Sequence, residues 1–348
     1  MKDIYSFISE LCDKEAYQFI KKDKLELFLQ RIHIGSDDEK KSTSNLSKED
    51  ILYLNSNNTK LLELKQEYKN CKNGIIDHSL WKEEYTEKEI DFQSFRADSG
   101  YIWQIRDMNF DINYLLTWYY IKSIDKLNLL DKLTEDDAFS PYTVKVKDDK
   151  LITRDLLDSI LEIYFLENNL GIYDWEELNI LDIGAGYGRL AYRLSQALPK
   201  VGQILCVDAV PESTFLSEFY IRYRKAEEKV KVIPLPEIEE VLKNKQIDIA
   251  INVHSFSECT FSSVSAWIAL IKKYKVKYLM IIPNACPASN GGTKILSYEK
   301  DGTYRDLELL FANEGYELIC KEPKFNIELA QKFGISSSYN YLFKLSNI

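Results

Sequence analysis

The stretch 181–190, "LDIGAGYGRL", places glycines at alternate positions, Gly184, Gly186 and Gly188, between an apolar run and an amphipathic one. Glycine has no Cβ atom, so such a loop lets the backbone approach a ligand closely and adopt conformations that other residues avoid. The spacing is G-x-G-x-G, and Arg189 stands where the dinucleotide fingerprint G-x-G-x-x-G has its last glycine. The loop therefore favours a nucleotide-like ligand other than a dinucleotide. A dinucleotide site and a ligand-free turn stay open as alternatives.

Two carboxylates flank this loop. Asp182 lies just before it, where a carboxylate can face an ammonium group, and Asp208 ends the next apolar run, twenty residues after Gly188. A carboxylate at that strand end can accept hydrogen bonds from both hydroxyl groups of a ribose. Position alone adds to the predicted binding site four neighbours in the two loops: Ala185, Tyr187, Ala209 and Val210.

The candidate general base is His254 in "NVHSFSE", at the end of an apolar run. The ordinary pKa of histidine lies near physiological pH, which suits proton abstraction from a hydroxyl group. Glu258, four residues on, can orient the imidazole ring if the segment turns back. The alternatives for His254 are packing against the cofactor or contacting the substrate without proton transfer. The other two histidines, His33 and His78, lie in a polar region that predicts surface positions.

Further candidates follow from position. Asn252 is expected beside the cofactor, and Ser255 and Asn284 beside the substrate. Arg154 and Asp158 lie one helical turn apart, which predicts either a surface ion pair or a lid over the cofactor. The string "YIWQIRD" adds four candidate substrate contacts: Tyr101, Trp103, Gln104 and Arg106. Only one carboxylate, Glu258, falls near the expected ends of the fourth and fifth strands, so a metal-independent base is favoured and magnesium is left open.

These residues need an open α/β sheet to bring them together. Apolar runs predict parallel strands at 178–184, 203–209, 231–234, 247–254 and 277–283, with helices at 188–198, 211–226, 237–244 and 262–274 between them. After a helix at about 304–314, "YELICKEPKF" and "SYNYLFKLSN" read as two strands with no helix between them, so they should pair antiparallel. Five parallel strands and an antiparallel C-terminal strand pair form the Rossmann-like sheet of class I methyltransferases.

Three segments are predicted along the chain. Residues 1–95 are polar, with helical periodicity in two short stretches; residues 96–170 form an aromatic-rich helical accessory or lid segment; residues 171–348 form the α/β domain. The run "TRDLLDSILEIYFLENNLG" predicts one helix that begins after Thr153 and ends at Gly171. The N-terminal helices are candidates for a homodimer interface.

Composition narrows the function classes. The chain has 348 residues, 45% of them hydrophobic, and a net charge of -10, which argues against a nucleic-acid partner. Its six cysteines form no CxxC pair, so a zinc site or a disulfide framework is not indicated. The start of the chain does not resemble a signal peptide, and no apolar run reaches the length of a membrane span. A soluble, cytoplasmic protein is expected.

The strings "LDIGAGYGRLAYRLSQ", "CVDAVPESTFLSEFY", "INVHSFSECT" and "LMIIPNA" together resemble the bacterial sugar O-methyltransferase family, as do "TRDLLDSILEIYFL" and the C-terminal end. The resemblance covers roughly residues 95–348. It implies transfer of a methyl group from S-adenosyl-L-methionine (SAM) to a sugar hydroxyl, with S-adenosyl-L-homocysteine (SAH) as product, often in polysaccharide biosynthesis. The alternatives are a non-sugar small-molecule acceptor and a SAM-binding scaffold protein without catalysis.

Overall fold

The computed structural model of the chain describes residues 46–346 apart from 78, 102–110 and 147–148, and the side chains of residues 111, 112 and 329 are also outside the description. The predicted substrate contacts Trp103, Gln104 and Arg106 lie outside the described residues, as do His33 and His78. The helices are α1 (Lys48–Tyr53), α2 (Thr59–Asn70), α3 (Glu83–Glu89), α4 (Asp111–Ile124), α5 (Leu129–Lys132), α6 (Arg154–Leu170), α7 (Arg189–Ala197), α8 (Pro211–Tyr223), α9 (Ile238–Asn244), α10 (Phe261–Lys273), α11 (Glu308–Asn313) and α12 (Glu328–Phe333).

The central sheet has seven strands, β1 (Leu178–Ile183), β2 (Val201–Asp208), β3 (Val230–Pro234), β4 (Ile249–Val253), β5 (Tyr278–Ile282), β6 (Tyr316–Pro323) and β7 (Tyr339–Leu345). Their spatial order is β6-β7-β5-β4-β1-β2-β3. Neighbours from β5 to β3 pair in parallel, whereas β7 runs antiparallel to both β5 and β6. This is the class I methyltransferase sheet, and the predicted fold class is confirmed.

Burial explains why the five parallel strands are apolar runs. Helices cover both faces of the sheet, and residues such as Ile180, Ile251 and Met280 have no exposed surface. Alternating polar positions, which mark a half-exposed strand, are therefore missing from β4 and β5. The register sets Asp182 of β1 beside Cys206 of β2 and Ile251 of β4. The carboxyl ends of these three strands thus meet at one edge of the sheet.

Helix α6 has the predicted ends. The Thr153 side chain accepts a hydrogen bond from the Leu156 N–H, and Gly171 closes the helix in the left-handed conformation. All residues from 154 to 166 are buried, and the helix packs on α7. Apolar side chains from Leu54 to Leu345 belong to one buried cluster, so the three predicted segments share a core.

A buried ionic cluster ties the segment before α6 to the sheet domain. Arg96, with no exposed surface, donates from Nε to Asp155 at 2.7 Å and from a terminal nitrogen to Glu135 at 2.8 Å. Arg193 of α7 also donates to Glu135, at 2.8 Å. Burial raises the pKa of Glu135, but the two arginines outweigh it and lower that pKa to about 2. Such a cluster holds the elements in register because removing one member strands a buried charge.

Two details of the C-terminal prediction are wrong. Residues 304–306 form a short strand that pairs antiparallel with Leu296–Tyr298, and the helix begins only at Glu308. Gly302, in the left-handed conformation, closes this hairpin, and the Asp306 carboxylate then accepts from the Glu308 N–H. A two-turn helix, α12, also separates β6 from β7. Its apolar positions are too few to distinguish it from a loop by periodicity.

Residues of the N-terminal region reach the same edge of the sheet. Helix α2 packs on α8, and the buried Tyr68 hydroxyl donates to the Asp208 carbonyl at 3.1 Å.

In the described part of the chain, every helix is too short or too polar to cross a membrane.

Candidate active site

A cavity of about 110 Å³ lies at the carboxyl ends of β1, β2 and β4. Most of the predicted site residues line it: Tyr101, Asp182, Gly184, Ala185, Gly186, Tyr187, Asp208, Ala209, Val210, His254, Ser255 and Glu258. Five other predicted residues are described by the structure but do not line the cavity: Arg154, Asp158, Gly188, Asn252 and Asn284. The topology therefore brings together side chains that lie far apart in sequence, as expected at this edge of an open parallel sheet.

The glycine loop follows β1 directly. Gly184 has φ +71°, and a Cβ atom there would lie 2.1 Å from the Ser255 hydroxyl, so no other residue fits. Gly186 has φ +57°, and its N–H donates to Asp208 Oδ2 at 2.9 Å. A Cβ at Gly186 would press on the Tyr101 ring at 3.3 Å. The loop leaves bare backbone against the cavity, as its spacing predicts.

Asp208 is held by backbone donors on both sides. Its second oxygen, Oδ1, accepts from the Val210 N–H at 2.9 Å. Burial raises the pKa of Asp208 to about 7, although the backbone hydrogen bonds act in the opposite direction. Each carboxylate oxygen keeps a further lone pair, so the group remains able to accept hydrogen bonds from a ligand.

Asp182 has a different environment. Its Oδ2 atom is buried without a hydrogen-bond partner among the described residues. Burial raises the pKa of Asp182 to about 7, and Arg189 opposes that shift only in part. A buried carboxylate oxygen without a partner is costly, and a cationic ligand group in the cavity would compensate for it.

His254 follows β4 and has φ 67°, a left-handed backbone that is rare for a residue with a side chain. Its N–H donates to the Ile282 carbonyl at 2.7 Å, which fixes the turn to the end of β5. Burial lowers the pKa of His254 to about 3, and nearby positive charges, Arg154 foremost, act in the same direction. The imidazole ring is therefore neutral at physiological pH and can accept a proton.

Glu258 does not form the predicted pair with His254. Its Oε2 accepts from the Trp81 indole N–H at 2.5 Å, and its Oε1 accepts from the Asn284 amide at 3.0 Å. Burial raises the pKa of Glu258. The segment forms a short 3₁₀ turn, Ser255–Glu258, which carries Glu258 toward Trp81 instead of back to the imidazole.

Asn252 and Ser255 lock the turn that carries His254. The Asn252 amide donates to the Ile183 carbonyl at 2.9 Å and to the Ser255 hydroxyl at 2.6 Å, while its oxygen accepts from the Phe256 N–H at 3.0 Å. Asn252, predicted beside the cofactor, thus joins β4 to β1 through its amide nitrogen and holds the turn after β4 through its oxygen.

Arg154 and Asp158 lie on a buried face of α6, not on the surface. Arg154 donates to Asp158 at 3.1 Å, and Lys324 of the C-terminal region donates to the other Asp158 oxygen at 2.6 Å. Burial raises the pKa of Asp158, but these cations outweigh it and lower the pKa to about 2. Arg189 likewise binds Glu162 of α6 at 2.8 Å. Of these three ion pairs, Lys324–Asp158 joins α6 to the C-terminal region and Arg189–Glu162 joins α6 to α7.

The structure adds residues that the sequence prediction lacked. Tyr68 and Lys324 bond to predicted residues, and the cavity lining also includes Trp81, Gly100, Arg189, Leu190, Ser213, Val253, Cys259 and Trp267. Trp81 comes from the N-terminal region, where polar composition gave no reason to expect a site residue. Lys324 lies at the end of the string "YELICKEPKF", which predicts a strand and gives no signal of a site residue. Within the described ranges, no three histidine, cysteine, aspartate or glutamate side chains converge to hold a metal ion.

Comparison with known proteins gives similarities in solved structures alone. No family model matches the chain, and no curated protein does. A SAM-dependent methyltransferase of Aquifex aeolicus is 17% identical with a TM-score of 0.38, over 54% of this chain and 93% of that one. Magnesium protoporphyrin IX methyltransferase of Synechocystis PCC 6803 is 12% identical with a TM-score of 0.39, and the similarity covers 68% of this chain and 98% of that one. A methyltransferase of Clostridium acetobutylicum is 15% identical with a TM-score of 0.38, over 54% and 91%.

Proposed function

We propose that the protein is a SAM-dependent O-methyltransferase that acts on a sugar hydroxyl. The observation that carries the proposal is the meeting of Asp182, Asp208 and His254 with the glycine loop around one cavity. When bound, SAM supplies a methyl group activated on sulfur, which passes to the acceptor oxygen and leaves SAH. The unpartnered oxygen of Asp182 and the bare glycine backbone fit such a cofactor.

Different residues of the cavity would contact different parts of the cofactor. Asp182 would pair with the ammonium group, and Asp208 would accept hydrogen bonds from the ribose hydroxyls. The backbone at Gly184 and Gly186 would lie against the ligand, and Val210 and Ala209 would line the adenosine side. Holding the cofactor and the acceptor in fixed alignment supplies much of the rate enhancement of a displacement reaction.

His254 would take up the proton that the acceptor hydroxyl loses. Its ring is neutral at physiological pH, so a lone pair is available. The lowered pKa also makes it a weaker base than a free histidine. We therefore expect proton transfer to accompany bond formation instead of preceding it.

A sugar acceptor is supported by the sequence resemblance and by a lining that mixes aromatic rings with carboxylates. Carboxylates accept hydrogen bonds from hydroxyl groups, and aromatic rings pack on the apolar face of a pyranose. The homodimer, the cytoplasmic location and a role in polysaccharide biosynthesis stay predictions.

The test combines binding with turnover. Calorimetry would measure SAH binding. Methyl-labelled SAM would be incubated with the protein and a panel of neutral sugars, nucleotide sugars, a polysaccharide extract and non-sugar alcohols, followed by mass spectrometry. A product heavier by one methylene on a sugar is the expected result. SAH binding together with methylation of non-sugar compounds alone would overturn the sugar acceptor. Binding without any transfer would favour a scaffold protein, and absence of SAH binding would reject the whole proposal.

A further inference from the structure

One aromatic side chain of the cavity lining, Trp81, comes from outside the sheet domain. We name residues 75–77 and 79–81, which end at Trp81, the covering segment. The Ser79 N–H and hydroxyl donate to the Glu258 carbonyl at 3.3 and 2.9 Å. The Thr260 hydroxyl donates to the Asp77 carbonyl at 2.7 Å. These contacts fix the covering segment against the turn after β4, next to His254.

Trp81, at the end of the covering segment, forms an aromatic surface of the cavity with Tyr101. The two rings stack at 5.4 Å between centroids, with 28° between their planes. The Tyr101 hydroxyl lies 3.2 Å from the Ser213 hydroxyl, and its ring meets Tyr187 edge-on at 5.9 Å. Both rings are half-buried and line the cavity, so they present apolar area to whatever binds beside the glycine loop.

Glu258 is the polar partner of this aromatic surface. Each of its oxygens accepts one N–H, from Trp81 and from Asn284, and each can accept another hydrogen bond. In the part of the chain that the structure describes, Glu258 forms no salt bridge. Because Glu258 lines the cavity, its oxygens can accept further hydrogen bonds from a ligand bound there.

The charges around the cavity have one predominant sign. Three carboxylates line it, Asp182, Asp208 and Glu258. Arg189 also lines it, but this guanidinium is already bound to Glu162 by two hydrogen bonds of 2.9 and 2.8 Å. An acceptor that brought a carboxylate or a phosphate beside Glu258 would meet like charge in a poorly solvated site, which is costly.

We propose that Trp81, Tyr101 and Glu258 form an acceptor subsite that selects an uncharged sugar over its carboxylate- or phosphate-bearing counterparts. The apolar face of the sugar lies on the aromatic surface, and two adjacent hydroxyls donate to the free lone pairs of Glu258. Asn284 and Trp81 hold that carboxylate in place. This inference rests on the proposed function, and it assigns Glu258 to substrate selection instead of to orienting His254.

The experiment compares the methyl glycoside of a neutral hexose with that of the matching uronate, in the full chain. The unchanged protein is expected to prefer the neutral glycoside at least tenfold in kcat/KM. Glu258→Gln keeps one acceptor oxygen but removes the negative charge. The preference for the neutral glycoside should therefore fall about tenfold. Trp81→Ala should raise the acceptor KM about tenfold, and Trp81→Phe, which keeps a ring but loses the indole N–H, should raise it less.

We call Asp182, Asp208 and the glycine loop the cofactor side of the cavity. The SAH dissociation constant, measured by calorimetry, is expected to stay within twofold in all three variants, because each keeps these residues and because Glu258 contributes less than burial to the raised pKa of Asp208. Trp175→Phe is the matched control: Trp175 donates its indole N–H to the Leu170 carbonyl, away from the cavity. It should change neither KM nor SAH affinity. A thermal unfolding scan identifies any variant that fails to fold, and Trp81→Phe then carries the test.

Three results would overturn the inference: equal or better use of the uronate by the unchanged protein, an unaltered preference in Glu258→Gln, or a Trp81 variant that weakens SAH binding with no change in acceptor KM. If no glycoside is methylated, calorimetry of the protein–SAH complex decides, and failure of the neutral glycoside to bind rejects the subsite. The failure of the proposed function is marked separately, by absence of SAH binding or by SAH binding without methyl transfer to any sugar of the full panel.

Discussion

The two sides of the cavity are built in different ways. On the cofactor side, the glycine loop and Asp208 are 22 positions apart and belong to one strand–loop–helix–strand unit. On the side that we propose holds the acceptor, called the acceptor side below, Trp81 bonds to Glu258 across 177 positions, and Tyr101 bonds to Ser213 across 112. Local sequence can specify the first arrangement, whereas the second exists only once the N-terminal region has packed on the sheet.

The electrostatics differ as well. Asp182 and Asp208 both have a pKa raised to about 7 by burial, so the cofactor side is poised to gain negative charge when a cation enters. Next to it, burial and neighbouring cations lower the pKa of His254 to about 3. Groups whose environments push their pKa values apart are typical of sites where one binds charge and the other moves a proton.

The largest effect is expected for His254→Ala. Loss of a general base lowers kcat by about 10²–10⁴-fold. SAH affinity should stay within about threefold, because the imidazole contributes no described hydrogen bond to the loop that would hold the cofactor. Steady-state kinetics with labelled SAM, alongside calorimetry, separates the two quantities. A kcat within threefold of that of the unchanged protein would mean that His254 is not the general base.

Asp208→Ala should act on the other side of the cavity. Two hydrogen bonds from ribose hydroxyls to a carboxylate are lost, so the SAH dissociation constant should rise about 100-fold or more. Calorimetry measures it, with Asp208→Asn as the milder comparison, since the amide keeps one acceptor. The acceptor-side variant Glu258→Gln serves as the control. Equal loss of SAH affinity in Glu258→Gln and Asp208→Ala would mean that the two sides are not separable.

The same division explains what the sequence predicted. All five parallel strands, the helices between them and the ends of α6 follow from apolar runs, an N-cap threonine and a C-terminal glycine, which are local signals. Asp182, Asp208 and His254 were found because each lies at the end of such a run. The same local signals therefore predicted both the glycine loop and the three residues that line the cavity with it.

Local signals could not reveal Trp81, because its place in the cavity depends on hydrogen bonds from Ser79 and Thr260 that join distant segments. The predicted Glu258–His254 pair failed for a related reason: the competing partners Trp81 and Asn284 come from other elements. Helical spacing does not reveal burial, so for Arg154 and Asp158 it left a surface ion pair and a lid over the cofactor as alternatives. Lys324, which completes that ion pair, arrives from 166 positions away.

A smaller effect is expected from pH. With a pKa of about 7, Asp182 is mostly protonated below pH 7 in the free protein, and it must lose that proton to pair with an ammonium group. SAH affinity should therefore fall as pH drops from 8 to 6, by up to tenfold per unit for each such group. In Asp182→Asn the slope should be shallower, since one titrating carboxyl group of the cavity is lost while Asp208 and Glu258 remain. Calorimetry at several pH values measures both slopes, and identical slopes would show that Asp182 does not bind the cation.

The smallest expected effect belongs to Tyr68→Phe, which tests how far the N-terminal region supports the cofactor side. The Tyr68 hydroxyl donates to the Asp208 carbonyl at 3.1 Å, lies 2.7 Å from the Thr214 hydroxyl, and accepts from the Leu235 N–H at 2.9 Å. Its removal leaves a buried N–H without a partner, which should lower the free energy of unfolding by about 1–3 kcal/mol. SAH affinity should fall only about two- to threefold, because the Asp208 carboxylate keeps its own backbone donors.

Thermal unfolding and calorimetry measure the effects of this substitution. Tyr173→Phe is the control, since among the described residues the Tyr173 hydroxyl bonds only to Lys132, at an exposed site. Destabilisation with nearly unchanged SAH affinity would mean that α2 supports the fold around Asp208 without tuning the carboxylate itself. A large loss of SAH affinity at unchanged stability would contradict this, and it would make the cofactor side as dependent on distant contacts as the acceptor side. The local origin of the cofactor site predicts the first outcome, because every bond to the Asp208 side chain comes from its own loop or from the glycine loop.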